Sequence, residues 1–280
     1  MSRPPRPATA VFRERKEYVP DEPRGGSRPG EQAWEHAGWE RSTEQPTAPT
    51  SRTPAPTRKP APGAPVRARN KRVLPEHVTQ ELERAVGTRR GGRLVEALAE
   101  ASKAFERERF GDALKVLRPL VEEAPEAVAV RELTGLSLYR LGKWAEAIKH
   151  LQRFTELTGS VEQHPVLADA HRALGHHSTV AELWDELAAS SPGAHLVAEG
   201  RIVMAGSLAD QGRLADAIKL LERATMDAKR PQVHHLRMWY SLADLYERAG
   251  DVPRAREMFT RITTRDSAFV DVAERLAALA

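Results

Sequence analysis

The chain has no cysteine among its 280 residues. A disulfide framework is therefore excluded, and nothing in the composition demands an oxidising compartment. No apolar run approaches the ~18 residues of a membrane helix, so no contact with a membrane is expected. Arg3 and Arg6 near the start are not followed by an apolar segment, which argues against a secretory signal. A cytoplasmic protein is the expectation. The motifs of chemistry are missing as well. There is no phosphate loop, no dinucleotide fingerprint and no Gly-x-Ser-x-Gly elbow. The expectation is a chain that is not an enzyme and holds no cofactor.

Histidine is the one metal-capable residue present in number, ten in all. His176-His177 and His234-His235 are adjacent pairs, and neighbours on a helix point in different directions. They are poorly placed to chelate one ion, so no metal site is expected. His171 lies near His176 and reads as a core or groove-edge residue. His176 and His177 read as exposed turn residues.

Proline and charge are unevenly spread. Residues 1–72 carry 13 of the 20 prolines, with 15 basic and 8 acidic side chains, a net of +7; the remainder is net −3. The stretch 45–65 is low-complexity and Pro-rich. Each proline removes a backbone donor and biases the preceding residue away from helix. Too little apolar surface remains to offset the entropy of ordering. A disordered tail is expected over 1–72, with a folded domain over 73–280. Two islands in the tail hold aromatics, Phe12 and Tyr18 in the first, Trp34 and Trp39 in the second. They read either as short binding segments or as tolerated residues of a solvated arm.

The body repeats. Gly142, Gly175, Gly212 and Gly250 form a column, and Glu108 stands in the same column one unit earlier. Five residues further on lie Ala113, Ala147, Val180, Ala217 and Ala255. Twelve residues on lie Leu120, Phe154, Leu187, Ala224 and Ile262. A spacing near 34 residues is the mark of stacked helix hairpins. The fold class expected is all-α, a right-handed α-solenoid of about five hairpins plus a closing helix. The hairpins pair 93–106 with 110–123, 128–141 with 144–157, 165–174 with 179–188, 196–211 with 214–227, and 234–249 with 252–263. A lead-in helix ends at Gly87 and the Gly91-Gly92 pair, read as a linker; 267–280 closes the array. Pro119 falls inside a helix, where it removes a hydrogen bond and crowds the preceding turn, so a kink is expected there.

Trp239, Leu242, Ala243, Tyr246, Gly250, Ala255 and Phe259 resemble the tetratricopeptide repeat (TPR) pattern nearly in full. Gly135, Gly142, Trp144 and Ala147 resemble it without the opening Trp. The closing segment is also similar in its Arg, Ala and Pro content to TPR regions of actinobacterial proteins, which adds no functional expectation. The TPR resemblance implies a binding scaffold. It implies a concave groove lined by the first helix of each hairpin and occupied by a protein or peptide segment. Carried onto this chain, the groove positions include Phe105, Glu132, Leu136, Tyr139, Asp169, Arg172, Ile202, Tyr240, Asp244 and Glu247. TPR proteins that grip a terminal carboxylate use Lys and Asn where this chain has Glu132, Asp169 and Asp244, so that ligand is not expected. A nucleic-acid- or ribosome-associated role through Arg58-Lys59 and the Arg67–Arg72 cluster stays open as the alternative. So does a contact between the basic tail and the acidic end of the groove at Asp244 and Glu247.

Overall fold

The computed structural model describes residues 74–224 and 231–279. The expected tail, with its aromatic islands and basic clusters, lies outside the described residues, as does the end of the second helix of the fourth hairpin. Among the described residues there are twelve helices and no strand. They are α1 (Glu76–Val86), α2 (Thr88–Glu106), α3 (Phe110–Glu123), α4 (Val128–Arg140), α5 (Trp144–Thr158) and α6 (His164–Ala173). Then follow α7 (His177–Ser190), α8 (Ala194–Asp210), α9 (Leu214–Glu222), α10 (Val233–Arg248), α11 (Val252–Thr263) and α12 (Val272–Ala278). The even-numbered helices α2 to α10 are the first, or A, helices of five hairpins. Each packs on its own partner and on the next unit, so the fold is an α-solenoid with a lead-in helix and a closing helix.

One local device recurs at every A-helix end. Glu108, Gly142, Gly175, Gly212 and Gly250 all take a left-handed backbone, with φ of 57°, 74°, 78°, 80° and 79°. In each case the residue after it donates its N–H back five residues: Arg109 to Ala104, Lys143 to Leu138, His176 to His171, Arg213 to Leu208, Asp251 to Tyr246. This is the Schellman ending, which satisfies carbonyls that the helix leaves orphaned. The partner helix starts two residues past the column in every unit, so the turn sets both the stop and the restart. Only Asp251 adds a side-chain cap, accepting from the Arg254 N–H at 3.2 Å.

The small residues of the second column are all fully buried: Ala113, Ala147, Val180, Ala217 and Ala255 at 0% exposure. They let the two helices of a hairpin touch. Gly135 shows the closeness, since a Cβ there would lie 2.7 Å from the Leu151 side chain. Leu117, Leu151, Leu221 and Phe259 fill the gap towards the next unit and are equally buried. Trp184, at the matching place of the third hairpin, is half-buried, with the Arg201 guanidinium 5.3 Å from its ring.

The sequence reading is corrected at two places. Gly91 and Gly92 are inside α2 and not a linker. Gly91 is buried against α1, where a Cβ would fall 2.6 Å from the Glu83 Cα; its glycine permits a close helix crossing. Helix α3 keeps the expected bounds and contains Pro119. The closing helix begins at Val272 instead of residue 267, because the buried Phe269 and the left-handed Val270, φ 50°, interrupt it. Lead-in helix α1 also serves the second hairpin. Its Glu81 carboxylate accepts the Val128 N–H at 2.7 Å and so caps α4, where a negative charge is favoured.

Glu108 stands where the other four units have glycine, and a side chain in this conformation costs roughly 1–2 kcal/mol. Its ion pair with Arg140 is 3.8 Å long and exposed, and returns little. After the entropy that glycine adds to the unfolded chain, Glu108→Gly is expected to stabilise by about 0.5–1 kcal/mol, read as a rise in Tm. An unchanged or lowered Tm would show that Glu108 holds the turn by its side chain.

Candidate functional site

The groove positions lie on the A-helices, and most of them are buried. Phe105 packs edge-on against Phe110, with ring centroids 5.2 Å apart. Leu136 is in the core. Tyr139, Ile202, Asp244 and Glu247 are half-buried and are the ones left partly open. Glu132, Asp169, Arg172 and Tyr240 are buried polar groups, and each is met by a neighbour.

Asp169 and Arg172 sit at the centre of a line that crosses three A-helices. The Tyr139 hydroxyl on α4 donates to Asp169 Oδ2 on α6 at 2.7 Å. Arg172, one turn along α6, donates from Nε to Asp210 Oδ2 on α8 at 2.6 Å and reaches Asp169 Oδ1 at 3.5 Å. The guanidinium lies across Gly206, where a Cβ would be 2.5 Å from it; only glycine leaves it that room. Its Nη2, and Oδ1 of Asp210, have no partner among the described residues. Two carboxylates surround one guanidinium, so this part of the face is net negative. Histidines stand at the end of α6 and at the start of α7. His171 Nδ1 is 3.1 Å from His176 Nδ1 and His177 Nδ1 is 2.9 Å from the Ser207 hydroxyl. Burial, and then the neighbouring His176, lower the pKa of His171. His176 is exposed and His177 half-buried.

Glu132 faces the base of α6. Gln163 donates from Nε2 to its Oε1 at 2.8 Å. Burial is the main reason its pKa is pushed up to about 7; the nearby Glu162 charge adds to this and the Gln163 bond opposes it. His164, adjacent and buried, pairs through Nε2 with Glu186 at 3.0 Å.

At the far end, the acidic pair Asp244 and Glu247 is met by Arg275 of α12. Arg275 donates to Asp244 Oδ1 at 3.0 Å, to Glu247 Oε2 at 2.6 Å and to the Tyr240 hydroxyl at 3.2 Å. The same hydroxyl donates to Asp271 at 2.8 Å. The guanidinium stands 5.0 Å from the Phe259 ring centroid and 5.6 Å from that of Tyr240. The pKa of Arg275 is raised, burial being outweighed by the bonds to Glu247 and Tyr240 and by the Asp244 charge.

Sequence reasoning did not find Arg275, Asp271, Gln163 or Ser207. Arg275 sits 28 to 35 residues from its partners, on a helix whose start was misplaced, and no local pattern marks it. Among the described residues, no cluster of three or more His, Cys, Asp or Glu side chains is arranged to hold a metal ion, and no helix is long and apolar enough to cross a membrane.

The architecture defines an α-solenoid of helix hairpins with left-handed A-helix endings. The tetratricopeptide repeat family model matches residues 98–160 and 202–268. A thermophilic TPR protein of Thermus thermophilus, solved by crystallography, superposes with a TM-score of 0.51 at 16% identity, over 65% of this chain and 96% of that one. No curated protein matches the chain. Over these two stretches the chain carries tetratricopeptide repeats, and its fold resembles a TPR solenoid.

The raised pKa of Glu132 has a consequence for stability. Below about pH 4.5 the group is protonated folded and unfolded alike, and burial costs nothing extra. As pH rises through about 7 the folded state must ionise it in the interior, and stability falls. A gap of this size is worth on the order of 3 kcal/mol. Glu132→Gln, which can still accept from Gln163, is expected to raise the Tm by several degrees at pH 8 and to leave it unchanged at pH 4. Thermal unfolding of both proteins at the two pH values checks this, and an equal shift at both would assign the gain to something other than ionisation.

Proposed function

We propose that the chain is a protein-interaction scaffold that takes an extended peptide or protein segment along the concave face made by α2, α4, α6, α8 and α10. TPR arrays in general mediate contacts between proteins, and no reaction is proposed for this one. The observation that supports the use of this face is the polar line Tyr139–Asp169–Arg172–Asp210 across three A-helices. It sets net negative charge just beneath the A-helix row, where an apolar core would have been the simpler filling. An extended segment with cationic side chains suits it better than an acidic one, because like charges would meet at Asp169 and Asp210. Tyr139 in the line and Ile202 further back on α8 are half-buried.

A photo-crosslinking residue at Ile202, on the A-helix row, and at the exposed Lys149, on the second helix of its hairpin, tests this. Protein adducts from position 202 alone, unaffected by nuclease, are the expected outcome. Adducts only from 149 would move the site to the other face. Adducts that vanish with nuclease would favour the nucleic-acid role of the basic segment.

A further inference from the structure

The acidic end of the A-helix row already holds a ligand-like group, Arg275. The site around it is built for a guanidinium. Asp244 and Glu247, one turn apart on α10, each accept from a different Nη, the Tyr240 hydroxyl accepts a further bond, and the Phe259 and Tyr240 rings lie within cation–π range. The charges facing it are Asp244, Glu247 and Asp271, offset by Arg275 itself and by Arg248, whose Nη1 is 4.0 Å from Asp244. One negative charge is left over. The helix that delivers Arg275 is short, seven residues, and packs mainly on α11. It is joined to the body at Val270, a β-branched residue in the left-handed region, where such side chains are genuine outliers. So the group that fills the site hangs on a short helix behind a strained joint.

We propose that Tyr240, Asp244 and Glu247 form an arginine-receiving site which Arg275 occupies in cis, and that the chain's own Arg58-Lys59 segment exchanges with it. Charge complementarity selects this occupant. Residues 1–72 are net +7 and the remainder net −3. Reach selects the segment. A chain spans at most roughly 3.3–3.6 Å per residue, so residue 58 can reach no further than about 55 Å from Leu74. Four steps between neighbouring A-helices separate α2 from α10, about 40 Å at 8–10 Å per step. Arg67 to Arg72 are too close to Leu74 to span that distance; Arg58 and Lys59 are not. The exchange makes α12 a gate on the last repeat of the concave face. With Arg275 seated, α12 shields Asp244 and Glu247. With the segment seated, α12 is released and an arginine of the N-terminal region competes for the place of any partner.

The absence of cysteine allows the full chain to be labelled at two chosen points. Ala55→Cys and the exposed Thr260→Cys on α11 carry a donor and an acceptor dye. Arg275→Gln is expected to raise the short-distance population at low salt by at least about twofold. The rise should disappear at 0.5 M salt, since such contacts are screened, and should disappear when Glu247→Gln or Arg58→Gln with Lys59→Gln is added. Arg275→Lys keeps a charge beside the carboxylates but loses the planar fork; it is expected to give a smaller rise of the same sign in a chain whose α12 stays folded. No change in either Arg275 variant, or a rise that survives removal of Arg58 and Lys59, overturns the proposal. The signal is intramolecular, so its failure leaves the concave-face reading untouched.

Discussion

The left-handed residue that ends every A-helix is the constraint on which the rest depends. It closes two carbonyls of the helix it terminates and starts the partner helix two residues later. That fixed turn brings the small-residue column to the helix contact in all five hairpins. It also aims the A-helices side by side, so that Tyr139 meets Asp169 across 30 residues and Arg172 meets Asp210 across 38. Without a common turn the units would differ in angle and the polar line would not join. The four glycines adopt this conformation at little cost, and Glu108 adopts it at a penalty.

The third hairpin differs in kind from the others. Nearly every residue of α6 is buried, and Gln163, His164, Asp169, His171 and Arg172 on or next to it are polar. The two stretches matched by the family model stop at residue 160 and resume at 202, on either side of it. Four of the eight buried polar atoms that lack a partner among the described residues belong to this helix or its cap. Buried polar groups are normally satisfied, so a concentration of unsatisfied ones in the centre of an array is stability given up locally. It coincides with the polar line Tyr139–Asp169–Arg172–Asp210 across the A-helices. The far end repeats the arrangement: a tyrosine hydroxyl again donates to an aspartate about 30 residues on, and an arginine one turn further reaches back, here from α12 and its N-cap.

The hairpins could be read from the sequence because their determinants are local and periodic. Glycine, small residue and large apolar residue recur at fixed offsets, and the starts of α3, α4, α5, α9 and α11 fall where the columns place them. Even the exception was readable, since Glu108 occupies a glycine position and takes the glycine conformation. The errors arose where one residue type serves two physical ends. Gly91 looks like a helix breaker, but its lack of a Cβ is used for a close crossing with α1. The apolar pattern of 267–280 continues through Val270, which the backbone does not follow. The state of the groove positions was not legible at all. Asp169, Arg172, Asp244 and Glu247 read as surface charges, and whether a charge is open or paired depends on a residue one repeat away.

The array is stabilised between neighbours, with Arg172 the strut across its middle. Removing one partner of a buried charge pair costs about 3–5 kcal/mol, and in a solenoid that loss should remain near its source. Amide hydrogen exchange on Arg172→Gln tests this most directly. Protection is predicted to fall in α6, α7 and α8 while the amides of α2 and α3 keep theirs. An equal loss of protection in every helix would contradict the account, because it would mean a single cooperative core with no special place for Arg172.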